Sequence, residues 1–191
     1  ARRGSSNCWC GFNEMGLLEM EGLINELKKL SEHDFPISEV YDLLENTSLP
    51  KEEIEDYIQF DEEKYTRHLI HKDSSFELLL MCWRPGQKAP IHGHEGEKCF
   101  MRVEEGSLQF TNYTLESIDP LSLNIVKSIK GDTGFLDGPA DLHTVENIYT
   151  NNAITFHVYA KPYDECDIYD IETGNIYRKK LVYDSMYKMP C

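Results

Sequence analysis

The stretch Gly86-Gln-Lys-Ala-Pro-Ile-His92-Gly-His94-Glu-Gly-Glu-Lys-Cys99-Phe-Met-Arg-Val-Glu-Glu-Gly106 decides the reading of this chain. Side chains alternate along a strand, so His92 and His94 on a strand point to one face, close enough to chelate a single metal ion. The apolar residues that follow, Cys99, Phe100, Met101 and Val103 and then Leu108, Phe110 and Tyr113, flank Glu104-Glu105-Gly106-Ser107, which reads as a hairpin turn. The two histidines are therefore predicted to ride on the leading edge of a β-hairpin. A third ligand is needed, and the candidate is His143 in Leu142-His143-Thr-Val-Glu-Asn147, one or two strands on. Neutral imidazole suits iron, zinc, copper or nickel, whereas magnesium and calcium want oxygen. Three histidines and a water also make a hydrolytic zinc site, so coordination chemistry alone leaves iron and zinc nearly even.

Working outward, Leu17, Met20, Ile24, Leu27 and Leu30 recur at helical spacing. Asp34 and Pro36 open a second helix through Val40, Leu43 and Leu44, and Ser48 and Pro50 a third through Ile54 and Ile58. From Tyr65 onward short runs of β-branched and aromatic residues alternate with Gly, Pro, Asn and Asp, which predicts about ten strands in a small antiparallel barrel or jelly roll under a helical layer. The expected organisation is an extension over 1–14 and one domain over 15–191, helical in 15–60 and β in 64–191. The 191 residues suffice for one well-buried core.

A formal net charge of −15 argues against nucleic acid or an anionic membrane as partner. Ala1-Arg-Arg-Gly-Ser-Ser is basic but has no apolar run behind it, so it does not read as a secretory signal. Six scattered cysteines, in a chain too large to need disulfide staples, suggest a reduced, cytoplasmic setting. Cys8 and Cys10 lack a second pair at zinc spacing and read as bystanders.

The opening stretch resembles the first cupin motif, with Gly86, His92, His94 and Gly106 in register and Cys99 at the usual acidic position. His143 and Asn147 have the spacing of the second motif, although Gly138 and Ala140 stand where proline and glycine are usual. A cupin whose carboxylate ligand has become cysteine resembles the cysteine dioxygenases. Further resemblances run in order from about Tyr65 to Asp170: Tyr65-Thr66-Arg67, Met81-Cys82-Trp83, Phe156-His157-Val-Tyr159, and Pro162-Tyr163-Asp164-Glu165-Cys166.

The resemblance implies an all-β cupin barrel and an iron(II) thiol dioxygenase that converts cysteine and O2 to cysteine sulfinic acid, acting as a monomer without an organic cofactor. Within it, His92, His94 and His143 would hold Fe(2+), leaving about half of an octahedral sphere for the thiolate and amine of the substrate and for dioxygen. Arg67 would grip the substrate carboxylate with Tyr65 beside it, and Cys166 would lie near the pocket. Tyr159 would aim its hydroxyl at the substrate, with His157 and Thr155 behind it on the same strand face. In mammalian members the residues matching Cys99 and Tyr159 are joined by a thioether, and Cys99–Tyr159 is the crosslink expected here. Trp83 and Met101 read as core or pocket wall, and His33, His68 and His71 as surface or packing histidines. The alternatives are a dioxygenase for another small thiol such as 3-mercaptopropionate, whose relatives resemble this chain less at Arg67 and Cys99, and a non-catalytic metal-binding cupin.

Overall fold

A computed structural model describes residues 19–191. The extension over 1–14, Leu17, Cys8 and Cys10 lie outside the described residues. Three helices come first: α1 (Met20–Ser31), α2 (Ile37–Asn46) and α3 (Lys51–Ile54), the last tightening into a 3-10 turn at Glu55–Tyr57. The strands are β1 (Thr66–Lys72), β2 (Phe76–Trp83), β3 (His92–Gly93), β4 (Cys99–Glu105), β5 (Ser107–Ile118), β6 (Leu121–Asp132), β7 (Leu136–Asp137), β8 (Leu142–Glu146), β9 (Ala153–Ala160), β10 (Glu165–Asp170), β11 (Asn175–Lys180), β12 (Ser185–Met186) and β13 (Met189–Pro190). More strands form than periodicity suggests because β3, β7, β12 and β13 are two residues long, too short to carry an alternating pattern. No helix among the described residues is long and apolar enough to cross a membrane.

Two sheets form the body. One runs β13-β12-β1-β2-β9-β4-β7 and the other β11-β10-β3-β8-β5-β6. Every residue of β2 and of β9 is buried, because each face of the first sheet is covered by a different layer. Leu78, Leu80, Phe100, Phe156 and Val158 pack on one face with Leu23 and Leu27 of α1 and Val40 and Leu44 of α2. Leu79, Met81, Trp83, Met101 and Tyr159 turn the other way and meet Leu108, Phe110 and Val145 of the second sheet. This is the double-sheet jelly roll with a helical layer that the sequence predicts. The inner space between the sheets is where polar side chains collect.

Two local expectations are corrected. The third helix stops at Ile54 rather than running through Ile58, since a single turn has too few hydrogen bonds to propagate alone, and Tyr57 is the residue that turns into the core. The segment Glu104–Ser107 is not a hairpin. β4 pairs with β7 and β9, whereas β5 pairs with β6 and β8, so the chain changes sheets at Gly106. A corner between two packed sheets preserves the same apolar alternation as a hairpin, and sequence periodicity cannot separate the two. Gly106 makes the corner with φ +82°, and a Cβ there would lie 2.4 Å from the Asn152 carbonyl oxygen. Gly106→Ala should therefore cost about 1–3 kcal/mol of stability. Gly174→Ala, also at positive φ but with open space around it, should cost less. Denaturant melts of the two variants check the order.

Candidate active site

The three histidines reach one point from two strands and a loop. His92 on β3 is the register partner of His143 on β8, so a single antiparallel pairing sets two of them side by side. His94 lies just past the end of β3, before the turn that begins at Glu95, and its ring centroid is 5.2 Å from that of His92. The Nε2 atoms of His94 and His143 are 3.1 Å apart, and those of His143 and His92 3.2 Å. Ligands at right angles on metal–nitrogen bonds of about 2.1 Å lie about 3.0 Å apart, and tetrahedral ones about 3.4 Å. Both separations fall between these values, so the donor set fits a single metal ion.

The tautomers agree with ligation. His92 Nδ1 lies 2.8 Å from the Pro90 carbonyl and His94 Nδ1 3.3 Å from that of Ala140. A carbonyl only accepts, so each Nδ1 carries the hydrogen and each Nε2 keeps its lone pair. Burial lowers His92 to about 3 with the neighbouring His94 adding to the shift, burial lowers His94 to about 4, and burial holds His143 well below its ordinary value. All three are neutral imidazoles across the physiological range, the form that binds metal.

Beside them lies an open space of about 310 Å³ lined by Tyr65, Arg67, His92, Tyr159, Tyr163 and Cys166, with Pro90, Ile168, Lys179 and Leu181 completing the wall. Its inner end continues to Trp83, His143 and His157. Arg67 is 9% exposed, yet its Nε and Nη2 have no hydrogen-bond partner among the described residues. A buried guanidinium with idle donors is costly unless a ligand completes it, and a carboxylate matches its planar fork. Tyr65 stacks on Trp83 with centroids 4.5 Å apart, which makes a flat wall.

On β9, Thr155, His157 and Tyr159 share the inner face and form a chain of contacts. Trp83 Nε1 donates to Thr155 Oγ1 at 2.9 Å, Thr155 Oγ1 meets His157 Nε2 at 2.8 Å, and His157 Nδ1 lies 3.5 Å from the Tyr159 hydroxyl. Burial, with Cys99 adding, keeps the Tyr159 phenol well above its usual value, so it retains its proton. Cys99 on β4 is the direct register partner of Tyr159, and burial pushes its thiol up as well. Sheet register alone therefore brings these two together, without help from a metal.

A family model described as cysteine dioxygenase type I matches residues 15–172. The chain belongs to that family. Among its relatives, cysteine dioxygenase type 1 of Danio rerio is 27% identical over 177 residues, covering 88% of this chain and 87% of that protein. The Homo sapiens enzyme of the same name is 30% identical over 138 residues, covering 69% and 68%. A solved structure from Bacillus halodurans superposes with TM-score 0.50 at 17% identity, over 72% of this chain and 89% of that one, and shows the fold alone. Family membership makes the chain a thiol dioxygenase and an enzyme, which sets aside the non-catalytic cupin.

Several cavity residues were given no role by sequence reasoning. Tyr163 stands edge-on to Tyr159 at 5.5 Å; it sits in the loop already matched to the family, and only its neighbour Cys166 drew attention. Leu181 lines the cavity from beyond the matched stretch, and Tyr183, which is not in the lining, lies against the Arg67 guanidinium; no motif marks either. His68, by contrast, is a fully buried packing histidine, bonded to Ser185 Oγ at 2.7 Å. The metal reading has a direct test: His143→Ala should retain the β-sheet circular dichroism while losing stoichiometric binding of a divalent transition metal in calorimetry. A variant that binds the ion as tightly as the parent would remove His143 from the ligand set.

Proposed function

We propose that the chain is an iron(II)-dependent cysteine dioxygenase whose ligands are His92, His94 and His143 and whose substrate carboxylate is held by Arg67. The observation that carries the reading is the buried Arg67, two of whose donors have no partner among the described residues, facing the same cavity as His92 and His143 of the three-imidazole cluster. The overall change is RSH + O2 → RSO2H, in which both oxygen atoms end on sulfur and no external reductant is consumed. His92, His94 and His143 would hold iron(II) through their Nε2 atoms, and the ion would supply Lewis acidity toward the thiol and the redox capacity for dioxygen.

The chain's own groups do the rest. Arg67 donates Nε–H and Nη2–H to the two carboxylate oxygens, which fixes the amino acid against rotation. The stacked Tyr65 and Trp83 rings, with Tyr163 and Cys166, wall the substrate and exclude water. Tyr159, protonated, would hold its hydroxyl hydrogen ready for donation to the bound substrate, and His157 holds the phenol in place from behind. The Thr155–Trp83 contacts in turn hold the His157 ring. A mercapto acid without the amine would satisfy Arg67 equally, so substrate choice between the two rests on the amine.

Oxygen uptake with added ferrous iron compares cysteine, 3-mercaptopropionate and cysteamine; fastest turnover of cysteine per unit KM supports the assignment. Arg67→Gln should raise KM for cysteine on the order of 30-fold or more, the loss of a charge-assisted contact in a dry pocket, and should affect cysteamine much less. Equal losses on both would give Arg67 a structural role only.

The register pairing of Cys99 with Tyr159 supports a thioether between them, formed with loss of two hydrogen atoms to dioxygen during turnover. Peptide mass spectrometry after aerobic turnover should find a joined Cys99–Tyr159 peptide lighter by two hydrogens. It should be absent from Cys99→Ser, Tyr159→Phe and iron-free protein. Tyr159→Phe should lose most activity and Cys99→Ser only part, because the link positions the phenol rather than reacting.

A further inference from the structure

Arg67 is held in the cavity by a dipeptide far along the chain. Asp184 N donates to the Arg67 carbonyl at 2.8 Å, and Asp184 Oδ2 accepts from Arg67 N at 2.9 Å, so the backbone is clamped from both sides. The preceding residue, Tyr183, addresses the side chain: the guanidinium carbon lies 5.9 Å from its ring centroid and 5.8 Å from that of Tyr159. The cation is thus flanked by two aromatic rings, one belonging to the proposed chemistry and one outside it.

Tyr183 is itself anchored. Its hydroxyl donates to the Glu77 carboxylate and accepts from Lys72 Nζ at 3.1 Å. Lys72 Nζ pairs with Glu77 at 2.7 Å and with Asp164 at 2.9 Å. Glu77 is 1% exposed, and its register partners are Tyr159 on one side and Lys72 on the other. A carboxylate this buried needs a cationic partner, and its field reaches Arg67. Lys72 and Tyr183 both bond to Oε1 of Glu77, so the carboxylate is drawn to them, and Nε and Nη2 of Arg67 stay idle instead of forming an ion pair with it.

We propose that Tyr183, Glu77 and Lys72 are positioning residues for Arg67: Tyr183 fixes the guanidinium by ring contact, and Lys72 keeps Glu77 from capturing it, so that the donors stay free for a substrate carboxylate. The inference rests on the reading of Arg67 as the carboxylate group's partner. It predicts an effect confined to ligands that carry a carboxylate.

The test is calorimetry of L-cysteine and of cysteamine on the iron-loaded protein without oxygen. Tyr183→Leu should weaken cysteine about tenfold, the scale of a desolvated cation–π contact, and leave cysteamine within about twofold. Lys72→Met should also weaken cysteine, because the freed Glu77 turns to Arg67, and the double variant Lys72→Met/Glu77→Gln should restore it to within about twofold. A purely structural role would make the double variant worse than either single change, not better. Arg67→Gln is run alongside. If it weakens cysteine while Tyr183→Leu and Lys72→Met do not, or if these two weaken both ligands equally, the positioning role is wrong and the function stands. If Arg67→Gln leaves cysteine unchanged, both fall. Should Tyr183→Leu not fold, as judged by circular dichroism, the Lys72 and Glu77 variants decide the question.

Discussion

The constraint on which the structure depends is burial on both faces of the central strands. β2 and β9 are covered by helices on one side and by the second sheet on the other, so every polar side chain on their inner face has lost water. Such a group must find a partner within the protein or wait for a ligand. Thr155, His157, Trp83 and Tyr159 satisfy one another in a chain, Glu77 is satisfied by Lys72 and Tyr183, and the three imidazoles face each other. Arg67 keeps two donors without partners among the described residues. The candidate site lies where this internal matching is left incomplete.

Register converts that constraint into geometry. The pairings His92 with His143 and Cys99 with Tyr159 are consequences of how β3 meets β8 and how β4 meets β9, each fixed by apolar neighbours that a one-residue slip would expose. The same rule places Lys72, Glu77, Tyr159 and Cys99 in one row across four strands. Chemistry and support therefore share the same rows, and the apolar packing that stabilises the fold also sets the distances within the site.

Much of the site was legible from residues alone because its parts are local or carry recognisable spacing. His92 and His94 are one residue apart, Thr155, His157 and Tyr159 follow strand period, and Tyr65 and Arg67 sit two apart and line one cavity. The hairpin at Glu104–Ser107 was misread for the opposite reason: alternation reports which side chains are buried, not which strand lies alongside. Tyr163, Leu181 and Tyr183 carry no local signal because aromatic and aliphatic residues in a β protein are ordinary core material until the cavity that Tyr163 and Leu181 line, and the Arg67 guanidinium that Tyr183 meets, are known.

The sequence by itself determined the order of a helical layer followed by strands and the types of donor available, since periodicity and side-chain chemistry are properties of short stretches. The tertiary structure alone decided that β4 and β5 belong to different sheets, that His94 arrives from beyond a strand end, and that Tyr183-Asp184 returns to hold Arg67. These depend on contacts between segments far apart in the chain. Their cause is the packing of two sheets and a helical layer as one body, which no local pattern encodes.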